Sequence, residues 1–143
     1  MARIIEDEAG LTEVVRSLKR VAVLGIKTEE QRKQPAFYVP EYLVSAGVEV
    51  IPVPVYFPEV KSILGRPVVR QLSQVPGPVD CVDVFRRPSD IDQHVEELIT
   101  LKPRVVWFQL GIRNDAAAAR LVAAGIDVVQ DRCLLVEHRR LAR

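Results

Sequence analysis

The sequence has only two histidines, two cysteines and one tryptophan, and no apolar run long enough to cross a bilayer. Each shortage removes a class of protein. His94 and His138 stand far apart, and no group of His, Cys, Asp and Glu has metal-ligand spacing, which argues against a metal centre. No G-x-S-x-G elbow occurs. Neither G-x-G-x-x-G nor G-x-x-x-x-G-K-S/T is present, which removes the ordinary dinucleotide and P-loop fingerprints. Cys81 and Cys133 lack C-x-x-C spacing and are expected to be reduced thiols, with Cys81, inside an apolar run, read as core. A formal net charge of +1 offers no global attraction to nucleic acid or to a membrane surface. The first residues carry no apolar h-region, so no signal peptide is expected and the cytoplasm is the default location.

What is present is an ordinary globular composition. The chain has 143 residues, 48% hydrophobic and 27% charged, which suits a single domain with a full core. Leu11, Val14, Val15 and Leu18 recur at helical spacing, so a first helix is expected to end near Lys19. Val21 to Leu24 is a short apolar run closed by Gly25 and reads as a buried parallel strand. A polar loop follows, then a helix from about Pro35 to Ala46, in which Pro40 is awkward outside the first turn. Val48 to Val53 is the second strand. Tyr56 to Val69 reads as loop, and Gln71 to Val75 as a short helix. Val79 to Phe85 is the third strand, followed by a helix capped at Ser89. Arg104 to Leu110 is the fourth strand. Asn114 caps an alanine-rich helix that stops at Gly125, and Ile126 to Val129 is the fifth strand. The tail from Asp131 has no clear period.

Five apolar strands alternating with helices imply an α/β fold. The expectation is a single Rossmann-like domain, with a five-stranded parallel sheet and helices on both faces. Ligands of such sheets bind beyond the carboxyl ends of the strands, at the switch point. The loops there hold the candidate site. Gly25, Ile26 and Lys27 close the first strand, where glycine allows close approach and the next helix start offers N–H groups to an anion; a plain strand-to-helix turn is the competing reading. Pro54, Val55 and Tyr56 follow the second strand and suit a slot for a flat ring, or core packing under a long connection. Phe85, Arg86 and Arg87 follow the third, and paired arginine forks match phosphate oxygens unless they form a solvated surface pair. Gln109 and Gly111 end the fourth strand, with Gln109 placed to contact a ligand and Trp107 read as core. Lys27, Arg32, Lys33, Arg86, Arg87, Arg113 and Arg132 all map to this edge, a positive rim fit for a small polyanion with an apolar portion. His94 reads as mid-helix and solvent-facing, and His138 as lying in a charged tail with nothing to position it.

The sequence resembles the small stand-alone CoA-binding proteins, whose domain is similar to the CoA-binding domain of the succinyl-CoA synthetase alpha subunit. The matching segments are Val21-Ala22-Val23-Leu24-Gly25, Val79 to Arg87, Val105 to Gly111 and Val129-Gln130-Asp131-Arg132-Cys133, spread over about residues 12 to 141. The resemblance implies coenzyme A in the switch-point crevice. Gly25, Ile26 and Lys27 take the place of the family's phosphate loop, Pro54, Val55 and Tyr56 that of the segment after the second strand, and Phe85, Arg86 and Arg87 that of the segment after the third. The first loop here is poorer in glycine and richer in charge than the family's. The synthetases also carry a phosphohistidine-bearing domain that this chain is too short to hold.

The expectation is therefore a non-catalytic module that binds coenzyme A or an acyl-CoA. A protein partner or a second copy is compatible with it, and neither nucleic acid nor a membrane is expected as a partner. Cys133, near the carboxyl edge, is the one side chain that could react with the CoA thiol, by forming a mixed disulfide. Two rival readings stand beside this one: an enzyme acting on a nucleotide-linked small molecule, and an interaction protein that has lost its ligand.

Overall fold

The computed structural model describes all 143 residues. In chain order the elements are α1 (Glu8–Ser17), β1 (Arg20–Leu24), α2 (Pro35–Ser45), β2 (Glu49–Val53) and a small hairpin of β3 (Ser62–Ile63) and β4 (Arg66–Pro67). Then come β5 (Cys81–Val84), α3 (Val95–Leu101), β6 (Val105–Phe108), α4 (Asp115–Ala123), β7 (Asp127–Val129) and α5 (Leu134–Leu141). Five strands form one parallel sheet in the order β2-β1-β5-β6-β7. The chain leaves β1 in one direction to make β2 and returns on its other side with β5, so the switch point lies between the carboxyl ends of β1 and β5.

Successive strand side chains alternate between the two faces. Val21 and Val23 of β1, Cys81 of β5 and Val105 and Trp107 of β6 pack under α1, α2 and α5. Ala22, Leu24, Val82, Val84, Val106 and Phe108 pack under α3 and α4 on the opposite face. The α/β architecture with helices on both faces is thus as the apolar runs implied. The helix starts also follow local chemistry: the Asp7 carboxylate accepts from Gly10 N–H at 3.1 Å and the Asn114 side chain accepts from Ala117 N–H at 3.0 Å. The N-terminal segment runs beside β7, with Ile5 N–H donating to Val128 C=O at 2.8 Å, and covers that sheet edge.

Four expectations change. The stretch from Tyr56 to Val69, read as loop, holds the β3–β4 hairpin. The tail does hold a helix, α5, whose buried Leu134 and Leu141 dock against the first face; its eight residues are too few to display a period among so many charges. Ser89 caps no helix. Two 3-10 turns, Pro88–Asp90 and Asp92–His94, precede α3, which therefore begins at Val95. Pro40 neither delays nor breaks α2. A proline there leaves the carbonyl four residues back without its helical donor. That carbonyl, on Ala36, accepts instead from Lys27 N–H at 3.1 Å. The missing helical bond becomes the tie between α2 and the loop after β1.

Gly25 sits at φ +84°, and a Cβ built on it would lie 2.2 Å from the carbonyl oxygen of Phe85. Gly47, at φ +89°, would place its Cβ in open space. Gly25→Ala and Gly47→Ala share the cost of a left-handed L-residue, roughly 1–2 kcal/mol, and only the first adds a backbone clash. Urea denaturation should show Gly25→Ala clearly the more destabilised of the two. Equal midpoints would mean that the β1–β5 contact carries no constraint.

Candidate functional site

The loop after β1 spends its own hydrogen-bonding groups. Gly25 N–H donates to Val53 C=O at 2.9 Å, and Thr28 closes a capping box with Gln31 around the turn Glu29–Gln31. The N–H groups of Phe37 and Tyr38 both donate to Gln34 C=O, and Pro35 has none. Part of the expected cradle of free amides is thus used, but Ile26 N–H and Ala36 N–H have no partner, and Lys27 adds its ammonium, which donates to the Gln34 side-chain carbonyl. Ile26 is buried in the core, so its side chain touches no ligand. The close approach of Phe85 by itself requires glycine at position 25.

Two cavities flank the end of β5. One, of about 460 Å³, is lined by Lys27, Ala36, Tyr38, Phe85, Arg86, Arg87, Gln109, Gly111, Ile112 and Cys133 among others. The other, of about 830 Å³, is floored by Leu24, Val53 and Leu72 and walled by Pro54, Val55, Tyr56, Phe57, Arg70, His94 and Glu97. Every expected site residue except Gly25 and Ile26 borders one of them. Gln109 is buried, and its side-chain carbonyl accepts from Leu134 N–H at 3.0 Å, so part of its polar capacity anchors the start of α5. Arg70, unremarked in the sequence, donates to the carbonyls of Tyr56, Phe57, Pro58 and Val60 and so fixes the shape of the loop after β2.

Arg86 lines the smaller cavity and reaches two residues of the larger, His94 and Tyr56. Its side chain is 9% exposed against 78% for Arg87. The Arg86 Nε–H donates to His94 Nε2 at 3.2 Å, and its guanidinium lies 6.0 Å from the centre of the Tyr56 ring. Asp90 comes only to 4.0 Å of Nη2. The outer edge of the fork therefore has its donors unspent. Arg87 is exposed and paired with Asp90 at 2.8 Å.

The positive rim is less focused than the strand assignment implied. Arg113 pairs with Asp115 at 3.0 Å and, with Arg132, borders a separate hollow beyond β7. Arg32 lies over the Phe37 ring, and it and Lys33 border a different surface. Only Lys27, Arg86 and Arg87 reach the 460 Å³ cavity. His94, expected mid-helix and facing solvent, is half-buried at the start of α3 on the wall of the larger cavity, because the two 3-10 turns set back the helix. His138 is held as well: Tyr42 Oη lies 2.9 Å from its Nδ1. Cys133 lines the smaller cavity as a free, half-exposed thiol; Cys81 is free and fully buried.

One further group lies under the site. Asp83, paired in register with Val23 and Trp107, is fully buried, and neither carboxylate oxygen has a hydrogen-bond partner. It shares a sheet face with Phe85, two residues on. Burial pushes its carboxyl well above the usual range, and burial pushes the Cys81 thiol up too, with Asp83 adding to the effect.

These features define a Rossmann-like domain with a two-chambered, cation-walled crevice at its switch point. The comparisons with known proteins agree with the Rossmann-like fold. A family model described as a CoA binding domain matches residues 19–139, and the chain belongs to that family. The YneT protein of Bacillus subtilis (strain 168) is 33% identical over 132 residues, covering 92% of this chain and 94% of its own. A solved Thermus thermophilus structure, that of cell-free ID.343, has a TM-score of 0.86 at 40% identity, covering 95% of this chain and 99% of that one. A hypothetical protein from Pyrococcus horikoshii OT3 also has a TM-score of 0.86, at 30% identity over 100% of this chain and 99% of that one. No helix is long and apolar enough to cross a membrane.

The raised carboxyl has a definite sign. Folding binds a proton at Asp83, so stability falls as pH rises from the ordinary carboxyl range towards the raised folded value. Asp83→Asn carries no such proton. In chemical denaturation at pH 5 and pH 8, the variant should gain on the native chain at the higher pH, because only the native chain loses a proton-linked stabilisation as pH rises. A gap that does not change with pH would show that Asp83 does not take up a proton on folding.

Proposed function

We propose that the chain binds coenzyme A across this crevice and holds it without turning it over. The observation that carries the reading is Arg86: a nearly buried guanidinium on the wall of the smaller cavity, fixed on one edge by His94 and unspent on the other. A fork so placed suits phosphate oxygens, which it can hold in bidentate fashion. Lys27 adds a point charge from the facing loop. The larger cavity, with Pro54, Val55 and Tyr56 on its wall, suits the adenine ring; the smaller, lined by Phe85, Gln109, Gly111 and Cys133, suits the pantetheine arm. Two cavities at one sheet edge, with Arg86 on the wall of one and bonded to His94 on the wall of the other, match a ligand that is aromatic at one end, anionic in the middle and thiol-tipped at the other. Membership of the CoA-binding domain family supports the same ligand.

Coenzyme A supplies a thiol, free or acylated. The non-catalytic part of the reading rests on His94, whose Nε2 is occupied by Arg86 and so is unready to act as a nucleophile. Two free cysteines are in keeping with a reducing, cytoplasmic setting.

Calorimetric titration should show coenzyme A binding more tightly than NAD, and the reverse order would defeat the proposal. Arg86→Ala should weaken binding by roughly 1.5–3 kcal/mol for each charged hydrogen bond lost, and less so in high salt. Arg87→Ala, removing an exposed arginine already paired with Asp90, should weaken binding less than Arg86→Ala does. An Arg87 effect larger than that of Arg86 would move the phosphates out to the rim.

A further inference from the structure

The imidazole of His94 and the guanidinium of Arg86 meet at 3.2 Å across the wall of the larger cavity. Arg86 has no lone pair to offer, so His94 Nε2 must be the acceptor. The imidazole proton then sits on Nδ1, and the pair exists only while His94 is neutral. We propose that His94 is a positioning residue of the anion site: by accepting from Arg86 Nε–H it turns the two outer nitrogens of the fork towards the crevice, and ligand affinity depends on its being unprotonated. The inference rests on the coenzyme A reading and adds to it a residue that never needs to touch the phosphates.

The alternatives for holding Arg86 are weak. Asp90 stands 4.0 Å from Nη2, and its carboxylate is already engaged by Arg87 at 2.8 Å. Tyr56 offers its ring, 6.0 Å away, which attracts the cation without setting the rotation of its fork. A guanidinium side chain has rotamer freedom to lose on binding an anion. His94 removes part of that freedom in advance, which is how preorganisation raises affinity.

The groups facing His94 set the direction of its titration. Burial and the Arg86 charge lower its pKa; Glu97 in α3 and Asp90 in the preceding turn act the other way, and burial is the largest influence. Arg70 and Tyr56 share the cavity wall with it. The imidazole is thus neutral through the physiological range. In acid, a proton on Nε2 removes the acceptor, sets two cations side by side and releases the fork.

The test is calorimetric titration with coenzyme A of the native chain, His94→Ala and His94→Gln, at pH 8 and across pH 5 to 8. Glutamine restores an uncharged acceptor near the position of Nε2. At pH 8, His94→Ala should bind about tenfold more weakly, the scale of one charged hydrogen bond, and His94→Gln should recover most of the loss. Across the pH range, His94→Gln serves as the baseline, because a phosphate monoester itself titrates near pH 6; relative to it, the native chain should lose affinity in acid. Native-like affinity in both variants would overturn the inference and leave the coenzyme A reading standing. A gain in native affinity in acid relative to the baseline, or equal weakening of both variants with unchanged melting temperatures, would make His94 a direct ligand contact and overturn its positioning role. Failure of the native chain to bind coenzyme A at any pH would overturn the reading beneath it. Should His94→Ala fail to fold, the native and His94→Gln pH profiles still decide.

Discussion

A hydrogen atom on Gly25 is all that fits between β1 and the carbonyl of Phe85, and the candidate site follows from that closeness. A Cβ there would come within 2.2 Å of the oxygen. The ladder makes the approach: Phe85 N–H donates to Leu24 C=O and Gly25 N–H to Val53 C=O, both at 2.9 Å, so β1 is drawn against β2 and β5 up to its last residue. The strand ends therefore finish level, and the loops that leave them must diverge. Arg86 is carried into the gap by its place directly after Phe85. Lys27 is carried to the facing side by its place two residues after Gly25.

Divergent loops need anchors, and the chain supplies them from backbone groups left over elsewhere. Pro40 withholds a donor from α2, and Lys27 N–H fills the vacancy at Ala36. Arg70 collects the carbonyls after β2, which leave the sheet with no strand to pair with. The Gln109 side chain satisfies the first amide of α5, which would otherwise be orphaned at a buried helix start. Each anchor uses a polar group at the end of a secondary element to fix a wall of the crevice, so the site is rigid without being a continuation of the sheet.

The strands were legible because burial on both faces leaves a continuous apolar run, as in Val21 to Leu24 and Val105 to Phe108, and period and length together then exclude the helix. The place of the two cavities was legible as well, through the rule that parallel sheets bind at their carboxyl edge. Side-chain roles were less so. Assigning a cation to an edge does not say which way it points: Arg113 and Arg132 do leave the carboxyl edge, but beyond β7 they turn to local carboxylates, backbone and a separate hollow. His94 was misplaced because Ser89, Asp90 and Asp92 read as the cap and first turn of one helix, whereas the chain makes two tight turns before α3 begins. Asp83 lies in a strand of otherwise apolar residues and gives no sign from sequence that it lacks a partner; only the folded chain, which sets it between Val23 and Trp107 in register, shows that no protein donor meets it.

Trp107, the chain's one tryptophan, is fully buried, and its indole N–H donates to the Arg132 carbonyl at 2.8 Å. One end of this side chain is thus packed in the dry interior of the sheet, and the other is tied to the residue before Cys133, on the wall of the smaller cavity. An indole in such surroundings emits at short wavelength, and its spectrum is sensitive to the loss of a hydrogen bond or the entry of water. The protein therefore carries an unlabelled fluorophore wired to its own crevice, and any displacement of the Arg132–Cys133 segment would be visible as a change in intrinsic emission.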